Sequence, residues 1–209
     1  MVSLFPKLEQ YLRNAENRFD AISQERKKLL EQFATYIAGK KEQNLPVHLN
    51  FICTHNSRRS HFGQVWAAVA AGFYQIDEVY TYSGGTEATA FHPNAIAALK
   101  RAGFHIEHQE ESNPKYQVYF GETKPIVCFS KVYDNVHNPS SDFAAVMTCT
   151  EADQGCPVIV GAEARFPVSY QDPKLADGSP QEAATYDTRC LQIATEMAYV
   201  FSQTKALIR

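Results

Sequence analysis

Val47-His48-Leu49-Asn50-Phe51-Ile52-Cys53 is an apolar run that ends on a cysteine and gives way at once to polar Thr54-His55-Asn56-Ser57-Arg58. From Arg59 to about Ala71, Phe62, Val65, Trp66 and Val69 then recur on one side of a helical period. A buried strand, a tight loop and a helix in direct succession constrain the fold strongly, because parallel strands require helical crossovers.

The rest of the chain repeats that alternation. Val79-Tyr80-Thr81-Tyr82 reads as a second strand ending in Ser83-Gly84-Gly85. His92-Pro93 opens a helix that stops near Gly103. Further strands are expected at 116–120, 125–130 and 143–148, and a last helix from about Pro180 to Ala206. This pattern predicts an α/β fold: a doubly wound, mostly parallel sheet of four to five strands with helices on both faces. Residues 112–141 are less regular and read as an inserted hairpin and loop.

Before the first strand, Leu4, Leu8, Leu12, Phe19, Ile22, Leu30, Phe33 and Ile37 recur close to a 3.6-residue period. Residues 3–43 are therefore expected to be helical, as one long helix or a pair, with Gly39 as a C-cap signal. The chain divides into a helical N-terminal extension, 1–44, and a catalytic domain, 45–209. The extension would pack on the core or on a second subunit, which would give a homodimer through these helices.

With 209 residues, 44% of them hydrophobic, the chain has material for one such domain. A formal charge of −3 gives no electrostatic reason for nucleic acid or an anionic membrane as a partner. No run approaches the roughly 18 apolar residues of a membrane span, and the charged N-terminus lacks a signal-peptide core. A cytoplasmic location is expected. Five cysteines, an odd number, do not read as an extracellular disulfide framework.

Cys53-Thr54-His55-Asn56-Ser57-Arg58-Arg59-Ser60 has the chemistry of an oxyanion site. A loop curling from a strand end into a helix start aims backbone N–H groups inward, and the helix N-terminus stabilises negative charge beside it. Arg59 offers a planar fork for two oxygens of a tetrahedral anion. Ser60 is a hydrogen-bond donor for the Cys53 sulfur, and Asn56 suits a tight or left-handed turn. Thr54, His55, Asn56, Ser57, Arg58 and Ser60 are thus candidate oxyanion-binding residues, with Cys53 the nucleophile.

This loop, ending the first core strand, resembles that of the low-molecular-weight protein tyrosine phosphatase superfamily. The resemblance covers roughly residues 46–205 and includes Ser83-Gly84-Gly85-Thr86-Glu87-Ala88. It implies that Asp172, in Gln171-Asp172-Pro173, is the general acid, although Asp-Pro also marks ordinary surface turns. Val146-Met147-Thr148-Cys149, followed by Cys156, is similar to the redox segment of the thioredoxin-coupled arsenate reductases of that superfamily. By that resemblance, Cys149 attacks the Cys53–arsenic adduct and Cys156 resolves the resulting disulfide. No tightly bound cofactor is implied, only an external thioredoxin-like reductant; the substrate is arsenate or a phosphate ester.

Geometry adds an expectation for the pair. A continuous helix from 149 to 156 would separate the two Cα atoms by roughly 10 Å, against the 4.4–6.8 Å of a disulfide. The segment must bend or unwind for Cys149 and Cys156 to join. Cys128, within an apolar run, and Cys190, in the last helix, read as core. The cysteine spacing and the scattered histidines argue against a metal site.

Four departures from the family pattern matter. Arg58 stands where a small residue or cysteine is usual and reads either as an anion contact or as a solvated charge. His55 replaces a common glycine, and Gln64 replaces a glutamate that supports the loop in some reductases. Lys174 after Asp172-Pro173 lacks the aromatic character of phosphotyrosine specialists. The resemblance therefore implies arsenate reduction first, phosphomonoester hydrolysis through a phosphocysteine second, and a redox sensor or oxyanion-binding module third.

Overall fold

The computed structural model describes residues 3–109, 112–122, 124–155 and 158–208. Its centre is a four-stranded, wholly parallel sheet in the order β2-β1-β6-β7, formed by β1 (Val47–Cys53), β2 (Val79–Gly85), β6 (Phe143–Met147) and β7 (Ala162–Phe166). The expected α/β architecture is the one observed.

The period of two along β1 explains how the sheet divides its surroundings. Val47, Leu49 and Phe51 point into the main core, where α3 (Arg59–Phe73) and the long α6 (Glu182–Leu207) pack. Ile52, of opposite parity, belongs to a smaller cluster on the opposite side with Met147, Cys149 and Ala152, which Cys53 joins at the end of the strand. That side is covered by the short helix α5 (Thr150–Gly155) and the segment around Tyr133, whose carbonyl accepts from Asn50 Nδ2 at 3.1 Å. The helical layers on the two faces are very unequal.

The N-terminal region is a helical pair, α1 (Pro6–Glu16) and α2 (Gln24–Glu42), separated by a 3-10 turn at Phe19–Ala21. The Ser23 hydroxyl caps α2 by accepting from Arg26 N at 3.2 Å. Gly39 does not end that helix, correcting its reading as a C-cap; the helix runs on to Glu42 because Ile37 and Ala38 remain packed in the core. Leu8, Leu12, Leu30, Phe33 and Ile37 are fully buried and pack largely against α6, so these apolar faces are covered within the chain.

α4 (Pro93–Ala102) starts as expected, with the His92 ring nitrogen accepting from Asn94 N, and stops at Gly103, whose φ of +125° favours glycine. A second sheet was not anticipated as such: β3 (His105–Glu107), β4 (Tyr116–Tyr119) and β5 (Ile126–Cys128) form an antiparallel three-stranded unit. The expected hairpin within 112–141 is its β4–β5 pair. β3 and β7 escaped the sequence because one is three residues long and the other, Ala-Glu-Ala-Arg-Phe, alternates but is a short, alanine-rich, charged edge strand with little β-propensity. Among the described residues, no helix is long and apolar enough to cross a membrane.

Candidate active site

Cys53 ends β1 and Arg59 begins α3, so the intervening loop curls at the helix N-terminus. Asn56 holds the turn. Its φ of +44° lies in the left-handed region, which asparagine tolerates better than most side chains. Its buried amide donates through Nδ2 to Ser60 Oγ at 2.9 Å and accepts through Oδ1 from Lys131 N at 2.9 Å. With Ser60 Oγ already accepting, its own proton is free for Cys53 Sγ, 3.1 Å away.

The loop is clamped from outside by two segments. Thr54 O accepts from Glu87 N at 2.9 Å and Thr86 Oγ1 at 3.2 Å, and Ser57 Oγ donates to Ala90 O at 2.7 Å. Ser130 Oγ donates to His55 O at 3.1 Å and accepts from Thr89 N at 2.8 Å. Gly84 and Gly85 are required here by crowding. A Cβ on Gly84 would fall 2.3 Å from Tyr133 Cα, and one on Gly85 would fall 2.6 Å from Thr54 O and 2.8 Å from Asn56 N. Ser130 and Lys131 were missed in the sequence; the signal was the polar pair following the apolar β5 run, inside the region read as an insertion.

The Arg59 side chain is buried and doubly held. Nη1 donates to Tyr170 O at 2.9 Å and Nη2 to Asp172 Oδ2 at 2.7 Å, with Glu151 Oε2 4.0 Å from Nη1. The structure thus brings Asp172 to the loop across 113 residues of chain. Asp172 Oδ1 in turn accepts from Lys174 N at 3.0 Å, fixing the turn at Pro173.

Cys149 lies just past the end of β6, the strand beside β1 in the sheet. It is fully buried, and Thr54 Oγ1 is 3.4 Å from its sulfur. Burial pushes the Cys149 thiol up, an effect partly offset by hydrogen bonds from Thr54 and the Ala152 N–H and by the charge of Arg59. Cys156 lies outside the described residues, and the expected geometry of its pairing with Cys149 is not described.

Two side chains lie elsewhere. The Arg58 guanidinium is not a solvated charge: Nε donates to Tyr186 Oη at 2.8 Å and Nη2 to Asp177 Oδ2 at 3.3 Å, beside His92. Tyr186 lies on α6 and Asp177 follows the 3-10 turn after Asp172, so the Arg58 side chain is held by two partners. His55 pairs with Glu87 at 3.0 Å on the surface. Cys128 and Cys190 are buried, and burial pushes both thiols up to about 12. Among the described residues, no group of three or more His, Cys, Asp or Glu is arranged to hold a metal ion.

No protein-family model matches the chain. It is similar to an arsenate reductase of Bacillus licheniformis, with 29% identity over 154 residues, 74% of this chain and 94% of that protein. It is 30% identical to an arsenate reductase of Shouchella clausii over 135 residues, 63% of this chain and 78% of that protein. A low-molecular-weight phosphotyrosine phosphatase from Vibrio cholerae superposes with a TM-score of 0.51 at 14% identity, covering 75% of this chain and 95% of that one. A tyrosine phosphatase of the same type from T. tengcongensis gives a TM-score of 0.51 at 12% identity, covering 75% and 98%. At those identities the likeness establishes the fold.

Proposed function

Because the chain belongs to the arsenate reductase family and is an enzyme of that kind, we propose that it reduces arsenate at Cys53 through a thiol relay completed by Cys149 and Cys156. The observation that carries the reading is the placement of Cys149. Its sulfur touches Thr54, the residue after the nucleophile, within the same small apolar cluster as Cys53.

In the proposed sequence, arsenate enters the loop between the backbone N–H groups and Arg59. The Cys53 thiolate attacks arsenic(V) and forms a sulfur–arsenic bond, while the displaced hydroxyl takes a proton from the candidate general acid Asp172 and leaves as water. Cys149, having lost its proton, attacks Cys53 Sγ; the electron pair of the breaking sulfur–arsenic bond stays on arsenic, which leaves as arsenite. The new Cys53–Cys149 disulfide is attacked by Cys156, releasing Cys53 as thiolate. A thioredoxin-like dithiol then reduces the Cys149–Cys156 disulfide, at a cytoplasmic location. Cys149 immediately precedes α5, so the last exchange calls for a segment that bends or unwinds. The single buried residue of α5, Ala152, makes that inexpensive.

A phosphatase-like reading is favoured by one contact. Asp172 lies at the mouth of the loop against Arg59, where a carboxyl group serves a departing ester oxygen. Thioredoxin-coupled NADPH oxidation on adding arsenate, with Cys149→Ser in parallel, tests both. Turnover lost in the variant supports the relay. No arsenate turnover, with aryl phosphate hydrolysis that survives Cys149→Ser but not Cys53→Ser, establishes the phosphatase.

A further inference from the structure

Between β2 and β5 lies a cavity of about 440 Å³ that the proposed chemistry does not use. Each strand is the terminal strand of its own sheet, so the cavity is a slot between two sheet edges. Ile76, Val79, Phe120 and Ile126 contribute apolar wall, and Lys131 and Asn138 contribute two polar groups.

Lys131 is only 4% exposed. An ammonium has three N–H donors, and burying it without pairing costs several kcal/mol. Among the described residues its Nζ has one acceptor, Phe129 O at 3.5 Å, and rests 4.5 Å from the centre of the Phe129 ring. Burial pulls the group down to about 8, so it still carries its charge at neutral pH. Asn138 has the complementary shortage. Its Nδ2 donates to Ser83 O and Tyr133 O, which fixes the amide, while its buried Oδ1 has no hydrogen-bond partner.

Lys124, Asp77 and Glu78 also line the slot, and Glu78 is already paired with Lys41 at 3.0 Å. Lys131, Lys124 and Lys41 against Asp77 and Glu78 leave a single positive charge in excess. That favours a ligand with one anionic group and a hydrocarbon body over a polyanion.

We propose that this slot binds a small apolar monocarboxylate, with its carboxylate on Lys131 and its hydrocarbon between β2 and β5. A hydroxyl or amide N–H beside the carboxylate would satisfy Asn138. The site is separate from the anion loop but is joined to it through the Lys131 backbone N–H, which donates to Asn56.

Calorimetric titration with octanoate tests this, with 1-octanol as the uncharged comparator. Saturable, stoichiometric binding is expected, about tenfold tighter than 1-octanol. Lys131→Met should weaken octanoate about tenfold while leaving 1-octanol nearly unchanged. Ile126→Trp, which fills the slot and keeps the charge, should weaken both. Displacement of octanoate by phosphate would place it in the Cys53 loop and overturn the proposal. So would equal binding to Lys131→Met, or no binding at millimolar octanoate.

Discussion

Arg59 Nη2 lies 2.7 Å from Asp172 Oδ2 while Nη1 donates to Tyr170 O, so both terminal nitrogens of the anion-binding fork are engaged. An incoming oxyanion must share or displace the Asp172 contact. Asp172→Asn removes the competing charge and is expected to tighten inorganic phosphate about fivefold, equivalent to about 1 kcal/mol. The same change should lower aryl phosphate hydrolysis at least about a hundredfold by removing the acid. Calorimetry with phosphate and steady-state kinetics measure the two effects. Weaker phosphate binding in the variant would show that Asp172 assists the anion rather than competing with it.

Cys149 must lose its proton to attack, and burial holds its thiol above the ordinary range. The rate of Cys53–Cys149 disulfide formation after arsenate addition should therefore rise steadily from neutral to alkaline pH. Thr54→Val deletes a hydrogen bond that favours the thiolate. The variant should be about three- to tenfold slower at neutral pH, with its rise moved to higher pH. Acid quenching, alkylation and mass spectrometry follow the disulfide directly. A flat pH profile would mean that this proton transfer does not limit the relay.

Gly85 packs against backbone, where nothing yields easily. In Gly85→Ala the new Cβ would meet Glu87 O at 2.3 Å and Thr54 O at 2.6 Å. Overpacking of this kind costs about 1–3 kcal/mol, and here it falls on the anion loop. Urea denaturation should show that loss, and phosphate affinity should drop about tenfold or more. Unchanged affinity would mean that the loop absorbs the shift.

Lys131→Met replaces a buried, poorly paired charge with an isosteric apolar chain and is expected to stabilise the fold by about 1–3 kcal/mol at neutral pH. The sign reverses nowhere, but the size depends on pH. Because the folded-state value is pulled down to about 8 from the ordinary 10.5, the folded protein binds fewer protons than the unfolded chain between those values. The wild type therefore recovers stability as pH rises through that window, and the advantage of the variant shrinks. Cys128 and His61 face the same ammonium and are present in both proteins. Urea melts of the two proteins at pH values below and within the window measure the difference. A variant less stable than wild type at neutral pH would mean that the ammonium is better solvated than its contacts indicate.

The parallel sheet and its loop were legible because they are written locally. Val47 to Cys53 is long, apolar and β-branched enough to be a strand, and Arg59 starts a helix whose apolar residues keep a 3.6 period. β3 and β7 were not legible, since three residues carry no periodic signal and the alternating Ala-Glu-Ala-Arg-Phe is too short and too poor in β-forming residues to stand out. Asn56 was recognisable as a turn residue. That its amide would be gripped by Lys131, 75 positions later, was not.

The sequence by itself determined the strand–loop–helix unit and placed the proposed nucleophile Cys53 and the candidate anion ligand Arg59 at its two ends, because these depend on residue type and near-neighbour spacing. Tertiary structure alone decided what closes around them. It carried Asp172 onto Arg59, set Cys149 beside Thr54, and paired Arg58 with Tyr186 and Asp177. The physical reason is that such contacts join segments about 95 to 130 residues apart, and only the packing of β6, α5 and α6 around β1 brings them within hydrogen-bond reach.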